Sequence, residues 1–141
     1  MLPGLLAQGR AAGIDGRLHA PGPLLGDLKW GAFEGAEVFA LITHQENFGV
    51  VLAESLAMGT PVITTDKTNI HAELSDTGAA LICTDTAESA AAALDLFLNL
   101  PPEERTRMRY LARSGFAAKF TIGAATRDLM SALSDAIGAA K

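Results

Sequence analysis

Residues 43–65 of the chain read Thr-His-Gln-Glu-Asn-Phe-Gly-Val-Val-Leu-Ala-Glu-Ser-Leu-Ala-Met-Gly-Thr-Pro-Val-Ile-Thr-Thr. The order of residue types spells the end of a strand, a loop, a short helix, a glycine turn and a second strand. Before it, Val38-Phe39-Ala40-Leu41-Ile42 is an unbroken apolar run, the pattern of a strand buried on both faces of a parallel sheet. After the motif helix, expected over residues 48–58 and stopped by Gly59, Pro61-Val62-Ile63-Thr64 starts the next strand. A strand–helix–strand unit of this kind demands a parallel α/β sheet, and such sheets take ligands at the carboxyl ends of their strands.

The loop between strand and helix carries Glu46, and the helix carries Glu54 with seven residues between them. Ionised carboxylates accept hydrogen bonds from hydroxyl groups. The first amides of a helix have no intrahelical partner, and the helix dipole favours negative charge beside them. Sugar hydroxyls together with a diphosphate are therefore the ligand chemistry this segment suits. Read without the rest of the motif, Glu46 is a solvated loop carboxylate, Glu54 an ordinary helix residue, and Phe48 a core residue at a plain helix start.

His-Gln-Glu-Asn-Phe-Gly followed by Leu-Ala-Glu-Ser-Leu-Ala-Met-Gly-Thr-Pro-Val-Ile resembles the Glu-x7-Glu motif of retaining glycosyltransferases with the GT-B fold, in particular glycosyltransferase family 4. Phe120-Thr121-Ile122 is similar to the Phe-Ser-Trp that precedes the family's terminal helix. The resemblance implies a Rossmann-like parallel sheet with flanking helices, part of the C-terminal domain of a GT-B fold. It implies transfer of a glycosyl unit from a nucleoside diphosphate sugar to an acceptor hydroxyl with retention. Glu46 takes the place of the glutamate that faces the transferred sugar, and so the catalytic place. Glu54 takes that of the ribose acceptor. Asn47, Phe48, Gly49 and Val50 would offer backbone amides to the phosphates and sugar, and Gly49 would let the ligand approach the backbone. Leu24 and Lys29 fall where the family contacts the nucleobase. Thr65, Lys67 and Asn69 follow a strand end near the same cleft.

Two departures from the family pattern bear on what to expect. The resemblance covers only the donor-binding domain, taken as one domain over residues 1–141, without the N-terminal acceptor domain. The family's first two strands and their Gly-Arg…Lys cations have no counterpart before the helix expected at residues 2–12. Those strands usually lie mid-sheet, so a strand at residues 17–20 would lack a neighbour. The expectation is a rearranged sheet, a partner chain filling the gap, or an exposed edge. The alternative function is a non-catalytic nucleotide-sugar binding module completed by a partner chain, with a partner or second copy covering apolar surface.

The remaining elements read as follows. Residues 24–35 predict a helix with Leu25, Leu28, Ala32 and Phe33 on one face. Residues 79–83 predict a strand after the turn Ser75-Asp76-Thr77-Gly78. Asp85 with Glu88 predicts a capping-box start for the next helix. Pro101-Pro102-Glu103-Glu104 opens another, and Thr121 caps the last, with Ile122, Leu129, Leu133 and Ile137 near one face.

Composition narrows the partners. The 141 residues are 49% hydrophobic and 19% charged, a globular balance, and the formal net charge of −5 argues against general nucleic-acid binding. No apolar run reaches the roughly 18 residues a spanning helix needs, and the first residues lack the form of a signal peptide. The single cysteine, Cys83, fits a reducing compartment, and the location expected is the cytoplasm, free or at the inner face of the membrane. His19, His44 and His71 have no zinc-ligand spacing, so no metal and no cofactor beyond the sugar-nucleotide substrate is expected.

Overall fold

The computed structural model describes residues 2–139. Helix α1 (Leu2–Ala11) leads through a 3-10 turn (Asp15–Arg17) to α2 (Asp27–Gly35) and strand β1 (Phe39–Leu41). Helix α3 (Val50–Ala57) and strand β2 (Val62–Thr65) follow, then α4 (His71–Asp76) and β3 (Ala80–Cys83). Three helices close the chain: α5 (Ala87–Leu98), α6 (Pro102–Lys119) and α7 (Ile122–Ala139). The strands form one parallel sheet in the order β1-β2-β3, with Phe39 beside Val62 and Val62 beside Ala80.

Strand β2 is central and buried along its whole length. Its side chains alternate between faces, as the pleat requires. Val62 joins Leu52, Leu56, Ile70, Leu74, Ala79 and Ala112 on one face, with Phe39 and Leu41 packed against them. Ile63 joins Phe97 and Met108 on the other, with Val38, Leu81 and Leu94. Helices α3 and α4 thus cover one face and α5 the other, while α6 contributes Ala112 to the first and Met108 to the second. The α3 helix ends where Gly59, at φ +77°, turns the chain back, and Arg113 donates to the Met58 carbonyl there.

Several expected elements are absent or displaced. Residues 17–20 form no strand; the chain there is a turn and irregular backbone, because no neighbouring strand receives its backbone groups. Within this single chain, and among the described residues, β1 has a neighbouring strand on one side only. Phe39 donates its amide to Pro61, just before β2, so Ala40 turns its own N–H and C=O to the open side, and Ala40 is exposed. Helix α2 starts at Asp27 rather than residue 24, after Gly26 at φ +55°. Only Phe33 of its expected apolar face is buried; Leu25 and Leu28 are exposed. Helix α5 is capped by Thr86, which accepts from the Ser89 amide, and not by Asp85. Helix α4 was not expected, since its six residues are too few to show a helical period.

Thr121 does cap α7, accepting from the Ala124 amide, and Pro102 does open α6 with Glu103 and Glu104 behind it. The apolar residues of α7 nevertheless face outward: Ile122, Leu129, Leu133 and Ile137 are all exposed. Helix α1 buries only Gly9, against Leu18.

This division predicts unequal costs for similar substitutions. Leu56→Ala, in the core, should cost about 2–5 kcal/mol of unfolding free energy. Leu129→Ala, on the outer face of α7, should stay within about 0.5 kcal/mol of wild type. Urea unfolding of the two variants measures both.

Candidate functional site

The carboxyl ends of the strands are organised by threonines. Thr64 Oγ1 donates to the Leu41 carbonyl at 2.9 Å, and Thr65 Oγ1 donates to the Thr43 carbonyl at 2.6 Å. Both hydroxyls come from β2 and grip the chain as it leaves β1. Thr68 is buried with its hydroxyl 2.9 Å from that of Thr64. The loop is then tied a second time. The Glu46 amide donates to the Lys67 carbonyl, and the Asn69 amide donates to the Glu46 carbonyl, each at 3.1 Å. Glu46 and Thr68 thereby form an isolated parallel bridge beyond the end of the sheet. Thr65 and Asn69 were expected near this cleft; Thr64 and Thr68 are what the sequence reading missed as site-forming, and the pair Thr64-Thr65 at a strand end was the available signal.

The Glu46 side chain is half-buried and turns toward the start of α3, where its Oε1 accepts from the Gly49 amide at 3.2 Å. Gly49 sits at φ +69°, a left-handed conformation that side chains disfavour. A Cβ there would come within 2.9 Å of Leu52 and 3.2 Å of Glu46. Glycine is therefore required twice over, by the backbone angle and by the space. With the Gly49 amide engaged, the amides of Val50 and Val51 remain at the helix start without an acceptor among the described residues. Asn47, Phe48 and Val50 are exposed around them.

Glu54 lies in the middle of α3 and is half-buried. Lys29 Nζ, from α2, donates to its Oε1 at 2.6 Å. The same ammonium stands 4.8 Å from the Trp30 ring centroid, within cation–π range. Lys29 also borders an open cleft of about 370 Å3 walled by Leu24, Ala32, Phe33, Ala36, Phe39 and Val51. The expected residues thus fall into two joined groups, Glu46 with Gly49 in the loop and Glu54 with Lys29 and Leu24 at the cleft. Helix α3 links them. A carboxylate beside an apolar cleft can take a polar hydroxyl next to a flat apolar group, and the free amides can take an anion.

A second cleft of about 380 Å3 lies between the end of α2 and the start of α6 and shares Ala36 with the first. Its two arginines are engaged by the protein itself. Arg105 pairs with Glu37 at 2.8 Å, and Arg109 donates to the carbonyls of Glu34 and Ala36. Arg109 closes the last turn of α2, so this cleft is a structural joint. Among the described residues no group of three or more His, Cys, Asp or Glu side chains could hold a metal ion.

On the β3 side, His44 Nδ1 and Asp85 Oδ1 lie 2.6 Å apart and link the loops that follow β1 and β3. Asp85, expected as a helix cap, serves this contact instead. Cys83 is buried, and its thiol donates to the Thr64 carbonyl at 3.4 Å. Burial pushes the thiol's pKa up, with Asp66 and Asp85 adding to the shift.

Two outcomes follow from this geometry. Gly49→Ala should lose about 1–3 kcal/mol of stability through backbone strain, measured by urea unfolding, and should displace Glu46. Folding favours the neutral form of Cys83. That contribution to stability is complete below the ordinary thiol pKa and fades as the pH rises through the higher folded value. Iodoacetamide at pH 8 should accordingly label Cys83 much more slowly in the folded protein than in urea, as mass spectrometry would record.

The family model for "Glycosyl transferases group 1" matches residues 10–115. Among solved structures, WaaG, a glycosyltransferase involved in lipopolysaccharide biosynthesis, is 19% identical with a TM-score of 0.74. That match covers 84% of this chain and 32% of WaaG. Sucrose-phosphate synthase from Thermosynechococcus elongatus is 21% identical with a TM-score of 0.74, covering 97% of this chain and 34% of its own. No curated protein matches the chain. The chain thus spans about a third of the length of these two structures and shares the α/β fold of a GT-B glycosyltransferase with them. The loop with Glu46, helix α3 and the strands around them all lie within the matched residues, and the chain belongs to the group 1 glycosyl transferase family.

Proposed function

We propose that this chain is the donor-binding part of a retaining glycosyltransferase of family 4, which takes its glycosyl unit from a nucleoside diphosphate sugar. One observation carries the reading. Glu46 lies just before the free amides at the start of α3 and Glu54 in the helix's middle, and Lys29, paired with Glu54, borders an apolar cleft of a size to hold a nucleobase. In this reading the diphosphate lies at the amides of Val50 and Val51. Glu54 accepts from the ribose hydroxyls, and Glu46 faces the hydroxyls of the transferred sugar.

The C–O bond from the anomeric carbon to the diphosphate breaks, a bond to the acceptor oxygen forms on the same face of the sugar, and the acceptor hydroxyl's proton passes to the leaving diphosphate. The diphosphate leaves with added negative charge, which amides already aimed at it stabilise without reorganising. Holding the sugar in place supplies the rest of the rate. No metal or further cofactor is part of the proposal. In this proposal the acceptor site lies outside these 141 residues, which cover about a third of each of the two solved structures of the same fold. The purified chain alone would then transfer little or no sugar. The proposed location is the cytoplasm, free or at the inner membrane face. Among the described residues no helix is long and apolar enough to cross a membrane.

A second reading is a nucleotide-sugar binding module completed by a partner chain. The open edge of β1 and the exposed apolar residues of α7 favour it. Both readings require the donor site.

The test is ligand-observed NMR with UDP, GDP and ADP, using Glu54→Ala as the control. One nucleotide should bind, and the substitution should weaken it about tenfold or more, the worth of a hydrogen bond to a charged group. Failure of all three to bind would remove the donor-site reading for this chain.

A further inference from the structure

We infer that Lys29 is a specificity residue that reads a vicinal diol jointly with Glu54, so that the site takes ribonucleotides and rejects their deoxy counterparts. The inference rests on the donor-site reading and extends it to a residue on a different helix.

The geometry is that of a half-used pair. Lys29 and Glu54 come from α2 and α3 and meet at 2.6 Å through one carboxylate oxygen, Oε1. Roughly a third of the lysine side chain and a quarter of the glutamate's remain open, at 32% and 25%. Among the described residues Glu54 Oε2 has no hydrogen-bond partner, and Lys29 Nζ donates only to Oε1. An ammonium has three donors, so two are left over. Trp30, 4.8 Å away, steadies the ammonium without consuming a donor.

Stability does not explain the choice of residues. The position of Lys29 borders walls made by Leu24, Phe33, Phe39 and Val51, where an apolar side chain would pack without desolvating a charge. Replacing a partly buried ion pair by apolar residues is often neutral or stabilising. What an apolar residue cannot supply is a donor beside an acceptor at the mouth of an apolar cleft. A hydroxyl both donates and accepts, and a vicinal diol presents two such groups at neighbouring carbons. One hydroxyl can donate to Glu54 Oε2 while the other accepts from Lys29 Nζ. The ribose of a nucleotide whose base enters the cleft provides that diol. A ligand lacking it would leave Glu54 Oε2 and the spare Lys29 donors without partners under a covering base, which is how a site discriminates against a missing hydroxyl.

The experiment compares each nucleoside diphosphate with its 2′,3′-dideoxy form on the wild type, Lys29→Met, Lys29→Gln and Lys29→Arg. Dissociation constants come from NMR titration, and thermal unfolding checks that each variant is folded. The wild type should prefer the ribonucleotide by about tenfold or more. Lys29→Met should lose a clear part of the ribonucleotide preference, the remainder being held by Glu54, while the affinity for the dideoxy form should not change. Lys29→Arg should regain part of the preference, and Lys29→Gln, which keeps a shorter donor, should fall between. An undiminished ribose preference in folded Lys29→Met would overturn the inference while leaving the donor site standing. Equal weakening of both ligands would also overturn it, since that is the mark of a structural brace. Wild type that binds none of the nucleotides would overturn the donor-site reading, and the inference with it.

Discussion

The hydroxyls of Thr64 and Thr65 hold the Glu46 half of the candidate site in place. They sit on a strand with no solvent contact, and they donate to the carbonyls of Leu41 and Thr43 where β1 becomes loop. A buried hydroxyl without a partner is costly, so each bond is enforced from both ends: the threonine needs an acceptor and the strand-end carbonyl needs a donor. That double demand anchors the loop to the sheet's central strand. The backbone bridge between Glu46 and Thr68 adds a second anchor three residues later. Glu46, though a loop residue, is consequently held by the core.

Helix α3 turns that anchor into a site. Its buried face, Leu52, Ala53, Ser55 and Leu56, packs on the sheet and leaves Glu54 at the margin between core and solvent. Its first turn begins at a glycine whose left-handed backbone leaves room for the Glu46 side chain. One short helix therefore sets the position of both carboxylates, and a rigid element holds such groups more closely than a loop can. Lys29 is brought to the same helix from α2, whose own last turn is closed by Arg109.

The other side of the sheet is unfinished in a physical sense. Strand β1 is apolar along its length, lacks the charges and prolines that usually protect an edge, and still has one free side. Parallel sheets are ordinarily buried. Together with the outward-facing leucines and isoleucines of α7, this gives the chain more apolar surface than its core alone can use. The two solved structures of the same fold are about three times as long as this chain.

Much of this was readable in the sequence for a definite reason. An unbroken apolar run, a glycine-closed helix and a proline-led strand report local preferences and burial, and they located β1, α3 and β2 within about two residues, the usual uncertainty at element ends. The motif also named Glu46, Gly49 and Glu54 as the residues to watch. Where a choice depended on what lies next to a residue, the sequence was silent or misleading. Residues 17–20 look like a strand but have no strand to pair with. Asp85 has the spacing of a cap but is drawn to His44, and Thr86 caps instead. Leu25 and Leu28 have helical spacing but no surface to pack against. The sequence by itself determined the parallel α/β class and the glutamate-bearing helix, because periodicity and turn chemistry are local. Only the tertiary structure decided that Lys29 meets Glu54, that threonines hold the loop and that β1 lies at an edge, because those contacts join residues more than twenty positions apart.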